Sequence, residues 1–109
     1  MKARPCKYDS ENYRYVTCDK SEATHVHLLT RGHFKDRYIP VQPNSNSGWA
    51  WNGDTDRPTL SPSIRTSCTG PEINMICHSF VRDGQIEYLT DSTHEFAGHT
   101  LPLIDHEES

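Results

Sequence analysis

Four cysteines are scattered through the 109 residues at Cys6, Cys18, Cys68 and Cys77, and no two of them form a C-x-x-C pair. The spacing therefore supplies neither a zinc knuckle nor a recognisable disulfide framework, and reduced thiols are expected. No apolar run approaches the roughly 20 residues that span a bilayer, and the N-terminus lacks the apolar core of a signal peptide. The reading is a chain of the cytosol with no membrane partner. Eleven basic against fifteen acidic residues give a formal charge of -4. Without a basic stripe to neutralise a run of phosphates, nucleic acid is not an expected partner. The hydrophobic fraction is only 33% and the mean hydropathy is -0.80, so the core must be small and partly aromatic. Nor is there an amphipathic helix, an internal repeat or a long low-complexity segment.

What is present reads as strands and turns. A chain this short fits one domain, with residues 1–11 and the acidic tail 105–109 expected to be flexible. Residues 13–18 (Tyr-Arg-Tyr-Val-Thr-Cys) alternate aromatic and polar and form a first strand. His25-Val26-His27-Leu28-Leu29 forms a second, with His25 and His27 on one face and Val26 and Leu28 on the other. Residues 31–37 read as a loop, 38–41 as a short extended piece that Pro40 confines to an edge, and 42–48 as a turn-rich connection. Trp49 and Trp51 share one side of an extended segment, where they cover a small core or line a cleft. Asn52-Gly53-Asp54 marks a turn, and Pro58 and Pro62 keep the following segment extended.

The firmest local prediction is a hairpin. Two β-capable runs, 75–82 and 85–89, flank Asp83-Gly84, a dipeptide suited to the positive φ of a two-residue turn. That register sets Arg82 opposite Gln85, Phe80 opposite Glu87, His78 opposite Leu89 and Ile76 opposite Asp91. His78 and Asp91 then share a face as diagonal neighbours, about 7–8 Å apart at Cα and within reach of each other's side chains. Residues 91–98 follow as a loop containing His94, and 99–103 as a last extended piece. The fold expected is mainly β: a compact small sheet or open barrel of hairpins with long loops and little or no helix.

These residues offer three chemistries. A serine hydroxyl becomes nucleophilic when a base accepts its proton and a carboxylate fixes the base's tautomer. Ser63 on the proline-held segment, His78 and Asp91 supply that set. Zinc is the second reading, with Cys77-His78, His94 and His99 as one donor cluster and Cys18, His25 and His27 as another. Against the first cluster, Cys77 and His78 are adjacent on a strand and point to opposite faces. Asn52, Asp54 and Asp56 suggest calcium, but lack the remaining ligands and the closing Glu of a calcium loop, which leaves a solvated turn. Both tryptophans, Asn52 and Asp54 are candidates for contacting a substrate.

Four motifs in order, W-x-W-N-G-D from Trp49, P-T-L-S-P-S-I from Pro58, C-H-S-F-V-R-D-G-Q-I from Cys77 and D-x-T-H from Asp91, resemble a small domain family of phage and prophage genomes. Relatives of that family occur in bacterial operons encoding ubiquitin-like conjugation machinery and resemble serine-type peptidases. The resemblance spans Trp49 to Gly98. It implies that Ser63 is the nucleophile, His78 the general base, and Asp91 or His94 the orienting or second polar group, with backbone N–H groups near Ser63 stabilising the oxyanion. It also implies a protein or peptide substrate of the ubiquitin-like class, and no cofactor is expected other than zinc as the alternative. Phage-type members are similar to a C-x-x-C-x-C-x-H pattern after the first strand and carry a cysteine within D-x-T-H. Here only Cys18 and His25 stand at the first stretch and Ser92 at the second, so a family zinc site is reduced to a remnant. A non-enzymatic phage-encoded protein-binding module and a zinc-stabilised structural domain are the alternative readings.

Overall fold

A computed structural model describes residues 1–30, 36–45, 48–71, 74–93 and 95–107. Among these residues there are two antiparallel sheets and no closed barrel. The first is ordered β2-β1-β3-β4, built from β1 (Ala3–Asp9), β2 (Arg14–Thr17), β3 (His25–Leu29) and β4 (Asp36–Pro40). The second is ordered β5-β6-β7-β8-β9, built from β5 (Ala50–Trp51), β6 (Leu60–Thr69), β7 (Asn74–Arg82), β8 (Gln85–Tyr88) and β9 (Thr100–Pro102). A 3₁₀ turn at Lys20–Glu22 is the helical structure among the described residues, none of which forms a helix long and apolar enough to cross a membrane.

One apolar cluster draws on both sheets. Ala3, Val26, Leu28 and Ile39 come from the first, and Leu60, Ile64, Cys77, Val81, Ile86 and Tyr88 from the second, with Val41 and Leu103 closing it. Trp49, Trp51, Phe96 and Leu101 pack around it. Period-two alternation generates this arrangement: β3 buries Val26 and Leu28 and turns His25 and His27 outward, as the sequence pattern requires. On the outer face of the first sheet, Tyr38 stacks on Tyr15 at 3.9 Å and on His27 at 4.2 Å. Arg37 turns inward from β4 and donates to Thr66 Oγ1 at 3.0 Å, joining the sheets by a polar contact.

Residues 1–11 are not a frayed end. Ala3–Asp9 is a central strand, paired to both β2 and β3. Pro5 is tolerated there because its backbone faces β2 just beyond the end of that ladder, where its carbonyl accepts from Cys18 N–H at 3.1 Å. The acidic tail is also docked as far as residue 107. Ile104 bridges Leu29, and His106 is buried with Nε2 2.7 Å from the His27 carbonyl. Residues 31–35 of the expected loop lie outside the described residues, whereas Asp36 and Arg37 open β4, an edge strand that accommodates Pro40.

The hairpin forms in the expected register, with Arg82 opposite Gln85 and Phe80 opposite Glu87. Asp83 (φ 51) and Gly84 (φ 77) both adopt positive φ, as the tight turn demands. The loop from Asn52 to Thr59 fixes that turn in place. Gly84 N–H donates to Pro58 O and Asp83 N–H to Thr59 Oγ1, at 3.0 and 2.9 Å. A Cβ on Gly84 would stand 3.1 Å from Asp56 O and 3.3 Å from Arg57 Cα. Gly84→Ala is therefore expected to lower unfolding free energy by about 1–2 kcal/mol, from the positive φ and the backbone crowding together. Urea unfolding checks this, and an unchanged midpoint would contradict it.

Candidate active site

β7 turns Cys77, Ser79 and Val81 into the core and leaves Ile76, His78 and Phe80 on the outer face of the second sheet. Cys77 is 3% exposed, so its thiol and the His78 ring are on opposite sides of the sheet. Arg65 of β6 is the direct partner of His78. Ser63 stands two residues earlier, on the same outer face, and approaches the ring diagonally. Between Leu60 and Ile64 the ladder is interrupted: Leu60 pairs with Val81 and Ile64 with Ser79, so two extra residues bulge out of β6 beside Ser63. The Ser61–Pro62 peptide bond within the bulge is cis.

Ser63 Oγ is 2.9 Å from His78 Nε2. On the other side of the ring, Asp91 Oδ2 is 2.9 Å from His78 Nδ1, with Oδ1 at 3.3 Å. Three side chains from three segments thus form one continuous line of hydrogen bonds. The hydrogen bond from His78 holds the Asp91 carboxyl below its usual range. An ionised carboxylate can only accept, so Nδ1 must carry the ring proton. In the neutral ring Nε2 is then bare, and the Ser63 hydroxyl donates to it. This is the arrangement in which an imidazole can take a hydroxyl proton as oxygen attacks an electrophile. The Asp91 side chain is 59% exposed, so water screens its charge and its stronger contribution is to orient the ring.

Asp91 reaches His78 by a route that differs from the expected one. β8 stops at Tyr88, and Ile76 is matched by Thr93 rather than by Asp91. Leu89 N–H donates to His78 O at 2.8 Å, after which the chain turns and its hydroxyls take over the ladder. Ser92 Oγ accepts from His78 N–H and donates to His78 O, both at 3.0 Å. Thr93 Oγ1 accepts from Ile76 N–H at 2.8 Å while Thr93 N–H donates to Ile76 O at 2.9 Å. The turn between these anchors carries Asp91 to the ring. Ser92 and Thr93 are the positioning residues that sequence reasoning missed; a hydroxyl-rich Asp-Ser-Thr run just past a strand was the available signal.

The remaining candidates sit around this line. Trp49 Nε1 donates to Ser63 O at 3.3 Å and so touches the serine's backbone, while Trp51 Nε1 donates to Asp54 O at 3.3 Å. Asn52 Oδ1 accepts from Asp54 and Thr59 N–H groups, and Asp54 Oδ1 from those of Asp56 and Arg57, which commits both side chains to knitting the loop that holds the hairpin turn. His94 lies outside the described residues. Among the described residues no group of three or more His, Cys, Asp or Glu side chains is arranged to hold a metal ion. At the expected remnant, burial raises the Cys18 thiol and depresses the His25 ring, whose Nδ1 lies 2.9 Å from Thr24 Oγ1. A cleft of about 460 Å³ between Lys7 and Val16 lies in the other sheet and contains none of the three aligned residues.

A family model described as the bacterial ubiquitination-like system serine protease (BubE) matches residues 2–89. The chain belongs to the BubE family. This relation to serine peptidases of ubiquitin-like conjugation operons is the one implied by the four motifs. The matched stretch takes in Ser63, His78, both tryptophans and the hairpin, and ends two residues before Asp91. No curated protein and no solved structure matches this BubE-family chain.

Two measurements probe the geometry. Ser92→Ala leaves the His78 N–H without its hydroxyl acceptor and is expected to cost about 1–3 kcal/mol in urea unfolding; no loss would mean that the clamp is dispensable. Because the folded-state Asp91 pKa is lowered, its contribution to stability is complete above the unfolded value of about 4 and is lost as pH falls through the folded one. The melting temperature of Asp91→Asn should therefore lie below wild type at neutral pH, with the gap closing as the pH is lowered through the acid range. A gap that stays constant would assign the difference to something other than the charge.

Proposed function

We propose that the protein is a serine-type peptidase that cleaves the acyl bond at the C-terminal tail of a ubiquitin-like protein, in a precursor or a conjugate. Ser63 is the nucleophile, His78 the general base and Asp91 the group that holds the base. The observation that carries this reading is the unbroken Ser63–His78–Asp91 line, with 2.9 Å on each side of the imidazole. Membership of a serine protease family of a ubiquitination-like system supports the class of substrate.

In the proposed mechanism Ser63 Oγ attacks the substrate carbonyl carbon as His78 Nε2 takes the hydroxyl proton. The imidazolium formed is stabilised by the Asp91 carboxylate. Collapse of the tetrahedral intermediate breaks the bond to the leaving group, which receives the proton from Nε2. Water, deprotonated by the same nitrogen, then releases the acyl group from Ser63. The oxyanion needs donors that are not already used. Ser63 sits in the bulge, outside the β6–β7 and β5–β6 ladders, which leaves its own backbone N–H as the nearest candidate. No cofactor or metal takes part in these steps.

A fluorophosphonate probe is expected to label the wild type on Ser63 and to leave Ser63→Ala unlabelled, read by intact-mass spectrometry. Asp91→Asn should label about 10²–10⁴-fold more slowly, because the ring loses its enforced tautomer. A folded wild type that takes up no probe would overturn the assignment.

A further inference from the structure

The edge of β6 beyond the nucleophile carries an inference that rests on the peptidase reading and specifies how the substrate is held. β5 pairs with β6 only at Leu60 and Ser61, although β6 continues to Thr69. Among the described residues no strand lies beside β6 on that side after Ser61. The direction of the backbone groups along this stretch follows from β7. His78 and Ile76 both spend their N–H and C=O groups on the 89–93 segment, away from β6. Their partners, Arg65 and Ser67, are therefore at non-hydrogen-bonded positions of the β6–β7 ladder, with N–H and C=O groups pointing to the open edge. The same side of the strand already takes a donor from outside the sheet at Ser63, whose carbonyl accepts from the Trp49 indole.

We propose that the acyl side of an extended substrate tail binds as an added strand on this edge, bonded through its backbone to Arg65 and then to Ser67, with its scissile carbonyl at Ser63. Trp49, covering the Ser63 carbonyl, closes the end of the added strand, so the tail enters from the side of Arg65 and rises over the bulge to the hydroxyl. An extended, unfolded tail is the partner this edge fits, since main-chain groups are what it presents. A folded segment could not bring both its backbone groups and a scissile carbonyl to Arg65 and Ser63.

The test compares labelling rates of Ser63 by a bare alkyl fluorophosphonate and by a pooled set of tripeptidyl phosphonates. Peptide extension is expected to accelerate labelling about tenfold or more, the worth of one or two main-chain hydrogen bonds. Methylating successive amide nitrogens of the fastest peptide should abolish the gain at alternate positions only, a readout that needs no protein variant. Arg65→Pro removes the edge N–H, which no ladder bond uses, and is expected to erase the acceleration, read as the ratio of peptide-probe to bare-probe rate within the same variant. Arg65→Ala keeps the N–H and should keep that ratio at the wild-type value. The inference is overturned if extension gives no acceleration, if methylation has no alternating effect, or if a folded Arg65→Pro shows the same peptide-to-bare ratio as Arg65→Ala. Wild type that fails to react even with the bare probe overturns the peptidase reading instead, and this inference with it.

Discussion

Both backbone groups of His78 turn away from β6 and toward the chain that follows β8, and the position of every group in the site depends on what they meet there. They meet Leu89 N–H and the two-way hydroxyl of Ser92. That contact stops the strand from sliding, which fixes the ring opposite Ser63. It also forces the turn whose apex carries Asp91. One clamp thereby sets both contacts along the line, and a second consequence is that the backbone groups of Arg65, the partner of His78, point away from β7, where among the described residues no further strand pairs with β6.

A small all-β chain has little interior in which to hide a charge, and this site is built accordingly. Asp91 is exposed and Ser63 and His78 are half-buried, so the electrostatic gain of a dry cavity is unavailable. Geometry has to supply the difference. The ring is held at both nitrogens, its backbone at both groups, and the hairpin beneath it at Asp83 and Gly84 by the loop from Asn52 to Thr59. A bound protein substrate would itself exclude water from such a shallow site, strengthening each of these hydrogen bonds when they are needed.

How far the sequence could be read depended on whether a feature is local. Asp83-Gly84 carries its turn type in two residues, and from it the register, the outer-face position of His78 and the inward position of Cys77 follow by counting. Alternation in 25–29 was equally plain. The approach of Ser63 to His78 was reached from chemistry and resemblance, not from spacing, because the two-residue bulge in β6 that brings them together has no periodic signature. Beyond Leu89 the counting failed: Ser92 and Thr93 replace ladder partners with hydroxyls, so Ile76 faces Thr93. Ala3–Asp9 is not legible in the sequence because Pro5 and the two cations Arg4 and Lys7 disguise a central strand, whose fitness depends on a ladder end at Cys18. The docked tail at His106 likewise depends on a carbonyl of His27, 79 residues earlier in the chain.

In the proposed mechanism Asp91 sets the tautomer of His78 so that Nε2 is the bare nitrogen facing Ser63. Long-range ¹H–¹⁵N NMR on ¹⁵N-histidine-labelled protein, at a pH where the ring is neutral, reads that tautomer directly. The expected result is a His78 ring protonated at Nδ1 and unprotonated at Nε2. A neutral ring carrying its proton on Nε2 would contradict it, because no acceptor would then face the Ser63 hydroxyl.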